Sequence, residues 1–267
     1  MTTILKGDCL KVMAGLPNKS VDCFVCDLPY GQLSANDSKT VRPESSWNAG
    51  TIKITHGCPW DIKIDLVEFW TQVRRLAKDD HTPVLMFCNT KFGNELINSN
   101  PKWFRYDLVW DKGHGVSFLL ANKMPMKSHE MIYVFSKAGA YYNRIDIKTD
   151  KPNWTIDRSK EKRTISTQFG VKTHKTNGIE KGADGMRCPL SVLHIGGRLA
   201  GGHPTEKPME LYEWLLSRYC PKDGLVLDPT AGSFNSILVA KKLGFKAIGI
   251  EMDNVFFWKG VAKLCQS

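Results

Sequence analysis

The sequence predicts an α/β fold, a parallel sheet with helices covering both faces, and three observations support it. Short apolar runs rich in β-branched and aromatic residues alternate with stretches of helical period. One such run, Val21 to Cys26, stops at Asp27-Leu28-Pro29-Tyr30-Gly31, which leaves an acid at a strand's carboxyl end, where open α/β sheets keep their ligands. Near the other terminus, Leu225 to Glu251 reads as strand, tight turn, helix, turn and strand, a βαβ unit of nucleotide-binding type.

With 267 residues the chain can bury a full core as one large α/β domain or a domain carrying an insertion. Lys and Arg exceed Asp and Glu by 37 to 27, a net charge of +10 that suits a polyanion partner. Eight cysteines lack framework spacing. The one C-x-x-C, Cys23 and Cys26, lies inside an apolar strand where residues three apart face opposite ways, so buried thiols are expected and not a zinc site. Free thiols imply a reducing interior, the cytoplasm or that of a host cell for a phage- or virus-encoded chain. The N-terminal MTTILKGDCLK has no signal-like apolar core, and no run approaches a membrane span, so a soluble protein without a membrane partner is expected.

The elements follow in order. Thr2 to Lys6 is a short strand halted at Gly7-Asp8. Cys9 to Leu16 is a helix, with Leu10, Met13 and Leu16 on one face and Pro17-Asn18 ending it. Leu28-Pro29 cannot continue the Val21–Cys26 strand, because proline lacks the N–H of a ladder and restrains the residue before it. Asp27 and a neighbouring carbonyl there can accept two N–H bonds from an amino group, and Tyr30 offers a ring for stacking. Gly31 to Cys58 reads as a long polar loop, placed to act as a lid. Helix Leu66–Ala77, strand Pro83–Cys88, helix Asn89–Ile97 and strands Tyr106–Trp110 and Met131–Phe135 come next, with a glycine-rich loop over Asp111–Phe118. Ala138 to Gly202 differs in character: twelve Lys and Arg face six acids, interleaved with Tyr141, Tyr142, Trp154 and Phe169, a composition suited to phosphate contact and base stacking or to a solvated insertion. Helix Met209–Tyr219 and the βαβ unit complete the chain.

In that last unit Gly232 lets the backbone approach a ligand, the helix N-terminus favours an anionic group, and Glu251, closing the second strand, is placed for ribose hydroxyls. The absence of G-x-G-x-x-G counts against a nicotinamide dinucleotide.

Asp27-Leu28-Pro29-Tyr30 resembles the D-P-P-Y motif of the DNA amino-methyltransferases, which methylate adenine N6 or cytosine N4. Asp228-Pro229-Thr230-Ala231-Gly232-Ser233-Phe234 resembles the family's S-adenosylmethionine motif D-P-F-A-G-S-G, and His203-Pro204-Thr205-Glu206-Lys207-Pro208 resembles its H-P-T-x-K-P element. Gly7-Asp8 resembles the acidic corner that meets the cofactor's adenine, and Asp111–Phe118 a loop of phage-type members. Catalytic motif first, basic insert next and cofactor motif last is the order of the family's β-group.

The resemblance implies a doubly wound sheet of about seven strands, one antiparallel. It implies a methyltransferase domain in two halves, 1–137 and 203–267, around a target-recognition insert, 138–202, with DNA as substrate; it leaves room for a homodimer. Asp27, Leu28, Pro29 and Tyr30 would be catalytic. Asp8, Cys9, His203, Thr205, Lys207, Asp228, Thr230, Gly232, Ser233 and Glu251 would bind S-adenosylmethionine, with Lys207 and Thr205 on its methionine carboxylate. The initial aspartate favours adenine N6 over cytosine N4, since members with the latter activity more often begin the motif with serine. The small, lysine-rich insert suggests a short or relaxed target. A catalytically silent DNA-binding protein of the same fold, or one acting on RNA or a protein glutamine, is the alternative.

Overall fold

The computed structural model describes residues 1–31, 62–116, 118–148, 186–196 and 206–266. It divides into two compact units, Met1–Asn143 with Ser191–Ser267, and Arg144–Leu190. In chain order the elements are β1 (Thr2–Lys6), α1 (Cys9–Ala14), β2 (Cys23–Cys26), α2 (Leu66–Leu76), β3 (Val84–Cys88), α3 (Thr90–Ser99), β4 (Phe104–Val116), β5 (Lys127–Phe135), β6 (Ile147–Lys148), β7 (Met186–Arg187), β8 (Val192–His194), α4 (Met209–Tyr219), β9 (Leu225–Asp228), α5 (Asn235–Lys242), β10 (Lys246–Glu251) and α6 (Asn254–Gln266). Within the smaller unit the described residues form the antiparallel pair β6–β7 and a two-bond Arg144–Asp146 ion pair.

The larger unit is built on one sheet, ordered β1-β10-β9-β2-β3-β5-β4-β8. β5 alone runs antiparallel to its neighbours. Alternation along β2 shows why both faces are covered. Cys23 and Val25 enter a core shared with Leu211, Leu215 and Leu216 of α4 and Ile237 of α5. Phe24 and Cys26 enter a second core with Met13 of α1, Phe69 and Val73 of α2, and Phe92 of α3. The two thiols of the C-x-x-C therefore sit on opposite faces, and burial pushes both well above the ordinary thiol range.

Helix starts follow side-chain capping. Asp8, Asp65 and Asn89 each accept a hydrogen bond from a backbone N–H in the first turn of α1, α2 and α3.

The structure departs from the sequence reading in three places. The sheet has eight strands where seven were expected, the addition being β8, which pairs parallel to β4 at the edge. Its three residues are too few to show a period. Asp111 to Val116 continues β4 instead of forming a loop, and the register shift between Asp111 and Val116 accommodates its glycines. Helix α6 was not anticipated; Asp253 starts it by accepting from the N–H groups of Val255 and Phe256. The expected lid, Gly31 to Cys58, lies outside the described residues except for Gly31. Among those described, no helix is long and apolar enough to cross a membrane.

Candidate active site

β2 and β9 are adjacent, and the chain leaves them in opposite directions across the sheet, β2 toward β3 and β9 toward β10. Such a switch point opens a crevice at the carboxyl ends of the strands. The crevice here is a cavity of about 680 Å³, reached by Asp27, Leu28, Pro29 and Tyr30 after β2, Thr230, Gly232 and Ser233 after β9, Glu251 at the end of β10, and Asp8 and Cys9 after β1.

The turn after β2 is tied down from several sides. Lys207 Nζ donates to Asp27 Oδ2 at 2.5 Å, and the Tyr30 hydroxyl donates to Asp27 Oδ1 at 3.2 Å. The Tyr30 ring stacks on Phe92 with centroids 5.0 Å apart. Thr230, standing where the resembled motif has phenylalanine, donates its hydroxyl to the Asp27 carbonyl at 3.1 Å and so joins the β9 turn to the β2 turn. Leu28 is buried at the cavity wall.

A charge cluster surrounds Lys207, whose side chain is 6% exposed. Glu130 Oε2 lies 3.6 Å from its Nζ, and Lys112 Nζ donates to Glu130 Oε1 at 2.5 Å. Burial alone would push the Lys207 ammonium down, but Asp27 and Glu130 together hold it above the ordinary lysine value. Burial would raise the Glu130 carboxyl, and Lys207 with Lys112 brings it below the usual range. Asn235 fixes the Lys207 backbone by donating from Nδ2 to its carbonyl at 2.9 Å.

On the opposite side of the cavity, Glu251 accepts from the N–H of Gly232 at 2.8 Å and of Asp253 at 2.7 Å. Each oxygen retains a lone pair for a ligand hydroxyl. Gly232 has φ +49°, a conformation that keeps the turn narrow and favours glycine. Asp8 caps α1 at the cavity rim, and burial raises the Cys9 thiol to about 12, so Cys9 is a neutral wall residue. Asp228 does not reach the cavity surface. Its carboxylate accepts from the Thr230 N–H at 3.0 Å and from the Ser236 hydroxyl, and burial pushes it up to about 7. His203 and Thr205 lie outside the described residues.

These residues fit S-adenosylmethionine chemically. Apolar Leu10, Met252 and Phe256 with acidic Asp8 and Glu251 suit an adenosine, and Glu206 supplies negative charge for a sulfonium. Among the described residues no cluster of side chains could hold a metal ion.

A model of the DNA methylase family matches residues 21–258. The chain belongs to this family. Its members are S-adenosylmethionine-dependent DNA amino-methyltransferases of N6 and N4 type. The Type II methyltransferase M.HinfI of Haemophilus influenzae is 26% identical across 96% of this chain, which spans 66% of that protein. M.SmaI of Serratia marcescens is 24% identical across 95% of this chain and 87% of its own length. The cytosine-N4-specific PvuII DNA methyltransferase aligns with a TM-score of 0.63 at 15% identity, covering 97% of this chain and 85% of that one. M1.HpyAVI in complex with SAM aligns at 0.59 and 16% identity, covering 98% and 100%. These two share the methylase fold.

Sequence reasoning missed Glu130, Lys112 and Tyr212 of this methylase, the last a buried wall residue on α4. Glu130 carried a signal, a lone acid directly before the apolar run Met131 to Phe135, although it lies inside β5 while Asp27 lies just past the end of β2. Only the antiparallel direction of β5 puts both on one edge.

Proposed function

We propose that this chain transfers a methyl group from S-adenosylmethionine directly to N6 of an adenine flipped out of DNA. The observation that carries the reading is Asp27, a carboxylate at the switch-point cavity with its backbone carbonyl and both oxygens already oriented. An exocyclic amine is a weak nucleophile because its lone pair is delocalised into the ring. Asp27 and the Leu28 carbonyl accept its two N–H groups and localise the lone pair, and Asp27 stabilises the positive charge that reaches the nitrogen. Tyr30, backed by Phe92, gives the flipped base a face to stack on. Bound S-adenosylmethionine supplies an electrophilic methyl group. Glu251 and Asp8 hold its adenosine end and Thr205 its methionine carboxylate, with His203 also assigned to the cofactor, whereas Lys207, expected on that carboxylate, pairs with Asp27. Direct transfer needs no protein nucleophile, in keeping with buried, neutral thiols along the strands. The aspartate that opens the motif supports adenine over cytosine. The basic insert 138–202 is assigned to target recognition, with a short or relaxed site.

The test is methylation of unmodified DNA with labelled cofactor, followed by nucleoside analysis and base-resolution sequencing. N6-methyladenine at a short or loosely defined site is expected. N4-methylcytosine would overturn the choice of base, and a fixed site of five or more base pairs would overturn the relaxed target. Cofactor binding with no label in any nucleic acid would favour the silent DNA-binding reading.

A further inference from the structure

The catalytic carboxylate in this site has a cation pressed against it. Methyl transfer moves positive charge onto the target nitrogen, so the group facing that nitrogen should present negative potential. Lys207, 2.5 Å from Asp27, cancels that potential in place. The structure also shows what opposes it. Asp27, Lys207, Glu130 and Lys112 form a chain of alternating sign, closed at one end by the 2.5 Å Lys112–Glu130 bond. Glu130 faces the cavity, its Oε2 is buried, and no hydrogen bond satisfies that oxygen, although Lys207 Nζ stands 3.6 Å away. A buried acceptor left unbonded is costly, and its position needs a reason.

We propose that Glu130 is a positioning residue of the methyl-transfer site: it shares Lys207 with Asp27 and neutralises the ammonium, so that Asp27 keeps its negative field toward the target amine. Lys207 can then move its hydrogen bond toward the open oxygen of Glu130 when the amine occupies Asp27. The spacing makes this a displacement within the existing cluster, since both carboxylates already flank the same nitrogen. The inference rests on the proposed methyl transfer, and it makes Glu130 act only through Lys207.

Two measurements on the full chain test it. In single-turnover transfer at saturating cofactor, Glu130→Gln should lower the rate by about a hundredfold, with cofactor affinity and DNA KM unchanged within about threefold. Neutralising the ammonium as well, in Glu130→Gln/Lys207→Gln, should restore the rate at least about tenfold over the single variant. A rate for Glu130→Gln near that of wild type, or a double variant no faster than it, overturns the proposal. If Glu130→Gln does not fold, Lys207→Gln and the double variant are compared. Equal rates support action through Lys207, and a large further loss in the double variant overturns it. The second measurement needs no catalysis: the Lys207 ammonium is titrated by NMR in the free protein. Glu130→Gln should move the midpoint down, because the ammonium loses one of the two carboxylates that hold it above its ordinary value, and an unmoved midpoint overturns the electrostatic link. A wild-type protein that labels no DNA would sink the proposed function while leaving this titration to decide the role of Glu130.

Discussion

Lys207 and Asp27, 180 residues apart in sequence, form a 2.5 Å ion pair at the base of the cavity. The pair joins the turn after β2 to the segment entering α4. Because Glu130 also flanks Lys207, deleting either carboxylate leaves the ammonium with one partner, whereas deleting Lys207 leaves two carboxylates facing each other.

Asp27→Ala should therefore fold, with Lys207 retained by Glu130, and should bind cofactor nearly as wild type does. Methyl transfer should fall by about a thousandfold or more, as for an interaction used mainly in the transition state. Single-turnover rates and cofactor calorimetry check this, and turnover within tenfold of wild type would remove Asp27 from the mechanism. Tyr30→Phe, which keeps the ring but loses the hydrogen bond to Asp27, should cost about tenfold, and Tyr30→Ala considerably more.

Lys207→Met should destabilise the fold by about 3–5 kcal/mol at neutral pH, the scale for an uncompensated buried charge. Glu130 is held below its ordinary value, so the stability it contributes is present above its unfolded pKa and is lost as pH falls through the folded one. Lys207 is held above its ordinary value, so its contribution is complete below its unfolded pKa and is lost as pH rises through the folded one. The deficit of Lys207→Met against wild type should thus shrink in acid. Urea unfolding across pH measures it, and a deficit constant with pH would contradict the pairing.

Asp228 works in the opposite sense. Its folded pKa of about 7 is raised by burial, so the folded state binds more protons than the unfolded one between about pH 4 and pH 7, and stability falls as pH rises through that window. Asp228→Asn should flatten this dependence. Parallel slopes for the two proteins over that window would contradict it.

Phe234 occupies the position of a glycine in the resembled motif, with φ +62° and a fully buried ring. A Cβ added at Gly260 would sit 2.1 Å from this ring, and one at Gly249 would sit 3.0 Å from it. Gly260→Ala should therefore cost about 1–3 kcal/mol through overpacking. Phe234→Gly relieves backbone strain of about 1–2 kcal/mol but empties a site worth about 3–5 kcal/mol, a net loss. Urea unfolding tests both, and a more stable Phe234→Gly would show that strain outweighs packing.

Much of this molecule was legible in its sequence because the relevant information is local. Apolar period and turn residues located β1, β2, β3, α2, α4 and the βαβ unit, and proline after Leu28 placed Asp27 at a strand end. The alternation along β2 sent Cys23 and Cys26 to separate cores, as residues three apart on a strand must go. Strand direction and pairing are not local quantities. An apolar run reads the same whichever way its neighbour points, so nothing in Glu130-Met131-Ile132 showed that an antiparallel β5 would carry Glu130 to the edge where Asp27 lies. Nor could three residues announce β8, or glycines in β4 reveal a strand that continues through them. The sequence by itself determined which segments form strands and helices and which acid ends β2. Tertiary structure decided what surrounds that acid: Lys207, Glu130 and Thr230 converge on Asp27 because strand order and direction, set by packing across the whole sheet, bring distant chain segments to one crevice.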